Sequence, residues 1–157
     1  MPPFSEAWLR QYNQKRTEEK AAIVGPIRLT LARPTITLNE LIRMDRWSRS
    51  KLAKQISSEM AAQLRSELMV REPMEYAVVT FRRYGIKAPD PDGLVGGVKI
   101  YLDCLLPYSK RHPHGLGIIA EDSPKHLLLH VMDMRVETLK EQRTEITVER
   151  NDAAVSL

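Results

Sequence analysis

Along the chain, polar and apolar positions change period several times, and each change marks an element. Ile27, Leu29 and Leu31 alternate with polar neighbours, the period-two pattern of a strand with one buried face. The β-branched and aromatic run from Tyr76 to Phe81, set off by Pro73, predicts a second strand. Leu127 to Met134 and Thr144 to Val148 predict two more. Helical spacing appears first between Ser5 and Ile23, where Ser5 is a plausible N-cap and Trp8, Leu9 and Tyr12 share a face. Gly25-Pro26 ends that segment. A longer helix is expected from Arg46 to Leu68, with Trp47, Leu52, Ile56, Met60 and Leu64 near helical spacing. A short one fits Val98 to Leu106, with Val98, Tyr101, Leu102 and Leu105 inward. Between these lie a turn at Pro34-Thr35 leading to Leu38-Asn39-Glu40, an irregular stretch from Gly85 to Gly97, and a loop from Pro107 to Gly115.

These elements predict an α/β (α+β) fold: one domain with a small mixed β-sheet flanked by helices, preceded by an N-terminal helical extension. The expected boundaries are residues 1–25 for the extension, 26–150 for the domain and 151–157 for a tail. No repeat or low-complexity tract interrupts them.

Composition narrows the setting. The chain has 157 residues, 43% of them apolar and 28% charged, which suits a globular domain with a real core. Its net charge of +4 permits an anionic partner without demanding one. Cys104 is the sole cysteine, so an internal disulfide and a cysteine-based zinc site are both excluded. A reducing, cytoplasmic location is expected. The first twenty or so residues lack the apolar stretch of a secretory signal. Runs such as Leu127-Leu128-Leu129 fall far short of the roughly 20 residues that cross a bilayer, so no membrane association is expected.

The candidate chemistry is acidic. Pro89 and Pro91 restrict the backbone around Asp90-Pro91-Asp92, and an extended chain would aim both carboxylates to one side. Paired carboxylates suit a hard cation such as magnesium or manganese. Taken alone, Asp-Pro-Asp-Gly is more often a polar turn than a metal site. Glu121-Asp122 follows the apolar Ile118-Ile119-Ala120 and is weaker alone, being ordinary turn chemistry before Ser123-Pro124. Together the two pairs could converge on one or two ions and activate water for phosphodiester attack. Lys99 and Asp103, four apart on the predicted helix, read either as a solvated ion pair or as a lysine beside a scissile phosphate.

The stretch from Asp90 to Leu105 (Asp-Pro-Asp-Gly-Leu-Val-Gly-Gly-Val-Lys-Ile-Tyr-Leu-Asp-Cys-Leu) resembles the signature of the RusA family of Holliday-junction resolvases, in its phage or prophage form. There, Asp-Pro-Asp-Asn-Leu leads through Gly-Gly to a lysine and then Leu-Asp-Ala-Leu. Gly117 to Lys125 is similar to the family's second motif, an apolar stretch ending in an acidic pair. Thr37 to Met44, with Trp47, resembles a third block of phage-borne members. The likeness runs from about Ile27 to Val148. It implies that Asp90, Asp92 and Asp122 are catalytic carboxylates holding Mg2+, with Mn2+ able to substitute, and that Lys99 is the catalytic-site lysine. It also implies a homodimer that binds four-way or branched DNA and cuts two opposed strands. The chain departs from the family pattern at Gly93, where asparagine is usual, and at Glu121, where aspartate is frequent. Cys104 stands at an alanine-like position, and Pro89 replaces a basic residue. The extension before Gly25 matches no part of the family pattern.

Contacts to DNA are expected from Asn39, Arg43, Arg46, Arg49 and Lys54, with Lys51 in the same basic run, and from Lys110 and Arg111 in the loop. Outside a nuclease, the run would read as a solvated helix face. His112 and His114 lack a third ligand for a transition metal. His126 and His130 read as ordinary strand residues, and Arg82 and Arg83 as facing DNA or solvent. The expected activity is metal-dependent hydrolysis of phosphodiester bonds in Holliday junctions or related branched DNA. The alternative is a non-catalytic dimer that binds branched DNA.

Overall fold

The computed structural model describes residues 5–11, 25–64 and 72–155. Strands β1 (Ile27–Leu31), β2 (Ala77–Gly85), β3 (Leu127–Arg135) and β4 (Arg143–Arg150) form one sheet in the order β1-β4-β2-β3. β4 runs antiparallel to both β1 and β2, whereas β2 and β3 are parallel. The predicted mixed sheet with helices is the fold observed. Helices α1 (Leu38–Arg43), α2 (Arg46–Leu64), α3 (Pro91–Gly97), α4 (Lys99–Leu105) and α5 (Asp152–Val155) complete it, with a 3-10 turn at Leu139–Glu141.

The parallel pair sets the layout of everything that follows. Two parallel neighbours cannot be joined by a hairpin, so the chain must cross back along the sheet before β3 can start. That crossover holds α3, α4 and the loop after them. Asp90, Asp92, Lys99 and Asp122 all lie on it. β2 spans 9 residues, roughly 30 Å of strand. Asp90 therefore leaves one end of the sheet while Asp122 approaches the other.

The core lies between one face of the sheet and the helices. Leu29, Val79, Phe81, Ile146 and Val148 meet Ile56, Met60 and Leu64 of α2, Tyr101 and Leu105 of α4, and Val98 just before it. Each such side chain contributes about 1.5–3 kcal/mol when buried. Tyr101 packs edge-on to Phe81, with ring centroids 6.1 Å apart. Its hydroxyl accepts the Ile36 backbone N–H at 3.0 Å, which satisfies a buried polar tip. On the opposite face, Leu128 and Met132 of the edge strand β3 remain exposed.

Several expectations shift. Leu38–Arg43 is a helix, where the sequence suggested only a lead out of a turn. Thr37, in the Thr-x-x-Glu spacing of a capping box, accepts from Glu40 N at 3.3 Å as an N-cap does, and its hydroxyl donates to Glu40 Oε1 at 3.2 Å. Trp47, expected among the core positions of α2, is 84% exposed. It sits in the first turn, ahead of the sheet that covers Ile56, Met60 and Leu64. Arg83 faces neither DNA nor solvent: it is buried, donating to Thr35 O and Lys87 O at 3.0 Å each. Those carbonyls belong to loops that the sheet cannot satisfy. The expected tail begins with a helical turn, α5.

Of the expected N-terminal helix, residues 6–11 are helical, and Ser5 Oγ accepts from Trp8 N at 3.2 Å. The continuation to Ile23, including Tyr12, lies outside the described residues, as does the stretch of the long helix beyond Leu64 up to Leu68.

Candidate functional site

The crossover starts with a local device. Asp90 is extended (φ −65°, ψ 161°) and its Oδ1 accepts from Gly93 N at 2.9 Å, with Pro91 as the first helical residue. An aspartate N-cap followed by proline is a strong helix start, since proline lacks a donor that the first turn would leave unpaired anyway. The extended stretch expected at Asp90-Pro91-Asp92 is thus corrected. Asp92 lies inside the first turn of α3, exposed, where the helix dipole favours its charge. The side chains do not alternate as they would on a strand.

Glycines set how closely α3 packs. A Cβ on Gly97 would run into the Ile36 carbonyl oxygen, and one on Gly96 would lie 2.8 Å from Leu38 Cδ2. The close approach fixes α3, and with it the start of α4, against the segment leading into α1.

The second half of the site is assembled over a long range. Lys99, at the start of α4, donates from Nζ to Asp122 Oδ2 at 2.8 Å across 23 positions of sequence. It also stands 3.2 Å from Asp103 Oδ1, one turn along α4, as an ion pair outside hydrogen-bond angles. The hydrogen bond from Lys99 holds the Asp122 carboxyl below the usual carboxylate range, against a smaller opposing effect of burial. The same bond raises Lys99, opposed by burial and reinforced by Asp103. Two carboxylates, one from α4 and one from the loop before β3, therefore meet at one ammonium. His112 Nδ1 comes within 3.8 Å of Asp103 Oδ1, and neither of these buried atoms has a hydrogen-bond partner.

Glu121 turns the other way. Its Oε2 lies 3.2 Å from Nε2 of His126, whose ring stacks on Tyr76 with centroids 5.1 Å apart and whose Nδ1 is 3.1 Å from Glu75 O. His126 precedes β3 and links the acidic loop to the sheet, so it is more than a passive strand residue. Cys104 is buried behind the cluster, and desolvation pushes its thiol up to about 12.

No protein-family model and no curated protein matches the chain.

Of the four residues carried over from the resemblance, the fold joins Lys99 to Asp122. It does not gather the three aspartates: among the described residues no three His, Cys, Asp or Glu side chains are grouped to hold a metal. The oxygen chemistry of Asp90, Asp92 and Asp122 fits a hard cation, but the arrangement does not close a site. Asp90 is occupied as a cap and Asp122 by an ammonium.

The expected DNA contacts are all on the surface. Asn39, Arg43, Arg46, Lys51, Lys54, Lys110 and Arg111 are exposed. Arg49 has a structural task as well, donating from Nε to Leu41 O at 3.0 Å and from its terminal nitrogen to Ile42 O at 3.4 Å. It caps carbonyls that the end of α1 leaves open. The Lys99–Asp103 ion pair follows the i,i+4 spacing read from the sequence, whereas His112, given no role there, was signalled by nothing local.

Proposed function

We propose that the protein is a magnesium-dependent endodeoxyribonuclease acting on four-way or related branched DNA, as its resemblance to the RusA family implies. The observation that carries this reading is the 2.8 Å contact of Lys99 with Asp122, two residues that the resemblance names separately and that share no local reason to meet. Lys99 supplies a fixed positive charge for a phosphate that enters beside it, and Asp122 and Asp103 hold that charge in place. A bound magnesium ion would contribute activation of the attacking water. Arg43, Arg46 and Lys51 are exposed along the same stretch of chain as the exposed Trp47, residue types suited to phosphates and an unstacked base. Cutting two opposed strands calls for two sites related by a two-fold axis, hence a homodimer. Exposed Leu128 and Met132 offer it an apolar surface.

The test is incubation with labelled four-way junction, flap and linear duplex, in magnesium, manganese or chelator. Junction cleavage that needs the metal is expected. One observation favours the second reading, a non-catalytic dimer on branched DNA: two of the three aspartates are already engaged within the fold. Tight junction binding with no cutting in either metal would select it.

A further inference from the structure

Beside Lys99 lies a cavity of about 320 Å3 between α2, α4 and the loop that follows. Its wall is largely hydrocarbon, from Leu41, Ala53 and Ile100 with the Cys104 thiol behind. Its rim carries Arg49, Lys99 and Arg111 against one carboxylate, Asp103, which Lys99 already pairs, with the His112 imidazole beside them. The two halves ask for different things. A bare anion has no use for the apolar wall, and an apolar molecule gains nothing from the guanidinium and ammonium groups of the rim. A flat heterocycle that carries a phosphate satisfies both. The volume sits at the low end of small-molecule pockets, enough for a single nucleotide and too little for a base pair.

The walls of the cavity are held in place before any ligand arrives. Ser57 Oγ donates to His114 O at 2.8 Å, and Gly115 N donates to His112 O at 3.1 Å. A Cβ on Gly115 would collide with the Leu106 carbonyl oxygen, which keeps the loop close against α4. Little ordering remains to be done on binding.

We propose that this cavity receives one deoxynucleotide, the base against Ala53 and Ile100 and the phosphate on Lys99 and Arg111. That the nucleotide belongs to a DNA strand, unpaired at a branch point, rests on the function proposed above. A base lodged there puts its own phosphodiester beside the Lys99–Asp122 pair. The site would then help to select DNA with unpaired bases over continuous duplex.

The test is calorimetry in chelator, where nothing is cleaved, with thymidine 3′,5′-bisphosphate, thymidine and inorganic phosphate as probes. The bisphosphate is expected to bind at least about tenfold more tightly than either fragment. Ala53→Leu, which fills the cavity, is expected to weaken the bisphosphate about tenfold and leave inorganic phosphate unchanged. Arg111→Ala is expected to weaken both phosphate-bearing probes. If the bisphosphate binds no better than phosphate, or Ala53→Leu binds it as wild type does, the proposal is overturned. Should Ala53→Leu fail to fold, amide shifts of Ala53, Ile100 and Cys104 in the wild type decide it, since a nucleotide in the cavity must perturb them. Branched DNA that displaces the bisphosphate assigns the nucleotide to a strand, and branched DNA that does not overturns that assignment. A protein that binds the bisphosphate but never cuts DNA keeps this cavity and loses the nuclease reading.

Discussion

Asp90 and Asp122 begin as equivalent members of two short acidic motifs, and the fold treats them differently. Asp90 bonds to a backbone N–H three positions away and starts a helix. Asp122 bonds to a lysine 23 positions away and helps to define a charged cluster. A cap interaction is satisfied within one turn and needs no other part of the molecule. A long-range pair exists only because the crossover carries α4 past the loop that leads into β3. The same side chain is thus a structural part in one region and a part of the candidate chemistry in the other. What a carboxylate does here depends on whether a local donor reaches it first.

The largest effect that bears on this contrast is on cleavage. Asp122→Asn and Lys99→Ala are each expected to slow junction cutting by about 10²–10³-fold in magnesium, with junction binding in chelator retained by Asp122→Asn and weakened by Lys99→Ala, which loses a phosphate contact. Asp92→Asn decides whether the first motif belongs to the same chemistry. A loss equal to that of Asp122→Asn would join the two regions into one site. Wild-type cutting would leave Asp90-Pro91-Asp92 as a helix start alone.

Next comes packing. Gly97→Ala places a methyl group on the Ile36 carbonyl oxygen and is expected to cost about 3 kcal/mol in urea unfolding. An unfolding midpoint equal to wild type would show that α3 can move away from Ile36 freely. A smaller effect separates cap from charge at Asp90. Asp90→Ala is expected to cost about 1 kcal/mol, and Asp90→Asn only a few tenths, because asparagine caps nearly as well. If Asp90→Asn nevertheless abolishes cleavage, its carboxylate has a catalytic role in addition to the cap.

The smallest effect concerns pH. Asp122 lies below its ordinary 3.8 in the fold, so its contribution is complete above that value and is lost as pH falls through the folded value. Lys99 lies above its ordinary 10.5, so its contribution is complete below that value and is lost as pH rises through the folded value. The stability difference between wild type and Lys99→Ala should therefore stay flat from about pH 5 to 9. Lys99 is more than half exposed, so the difference itself should be small. A slope inside that window would implicate the His112 imidazole, whose Nδ1 is 3.8 Å from Asp103 Oδ1.

The sequence alone determined the elements whose signals are local. Alternation marked β1, because a pleated strand shows its two faces at period two, and a β-branched, aromatic run marked β2, which proved longer than that run only at the Arg82–Gly85 end. Helical spacing marked α2 and α4. Two further helix starts were written in the chain and passed unread: Thr37 with Glu40 as a capping box, and Asp90 with Pro91 as a cap and first turn. Both are short-range rules, so their absence from the sequence reading reflects the weight given to proline as a breaker. Tertiary structure decided the rest. Trp47 and Ile56 share a helix, yet only the second meets the sheet, because the covering layer does not extend over the first turn. Arg82 and Arg83 are neighbours of one type, and the pleat sends only Arg83 inward to bind two loop carbonyls. The meeting of Lys99 with Asp122, and the cavity beside them, follow from β2 and β3 being parallel. No local pattern encodes that pairing, since strand direction is settled by how the whole chain covers its apolar face.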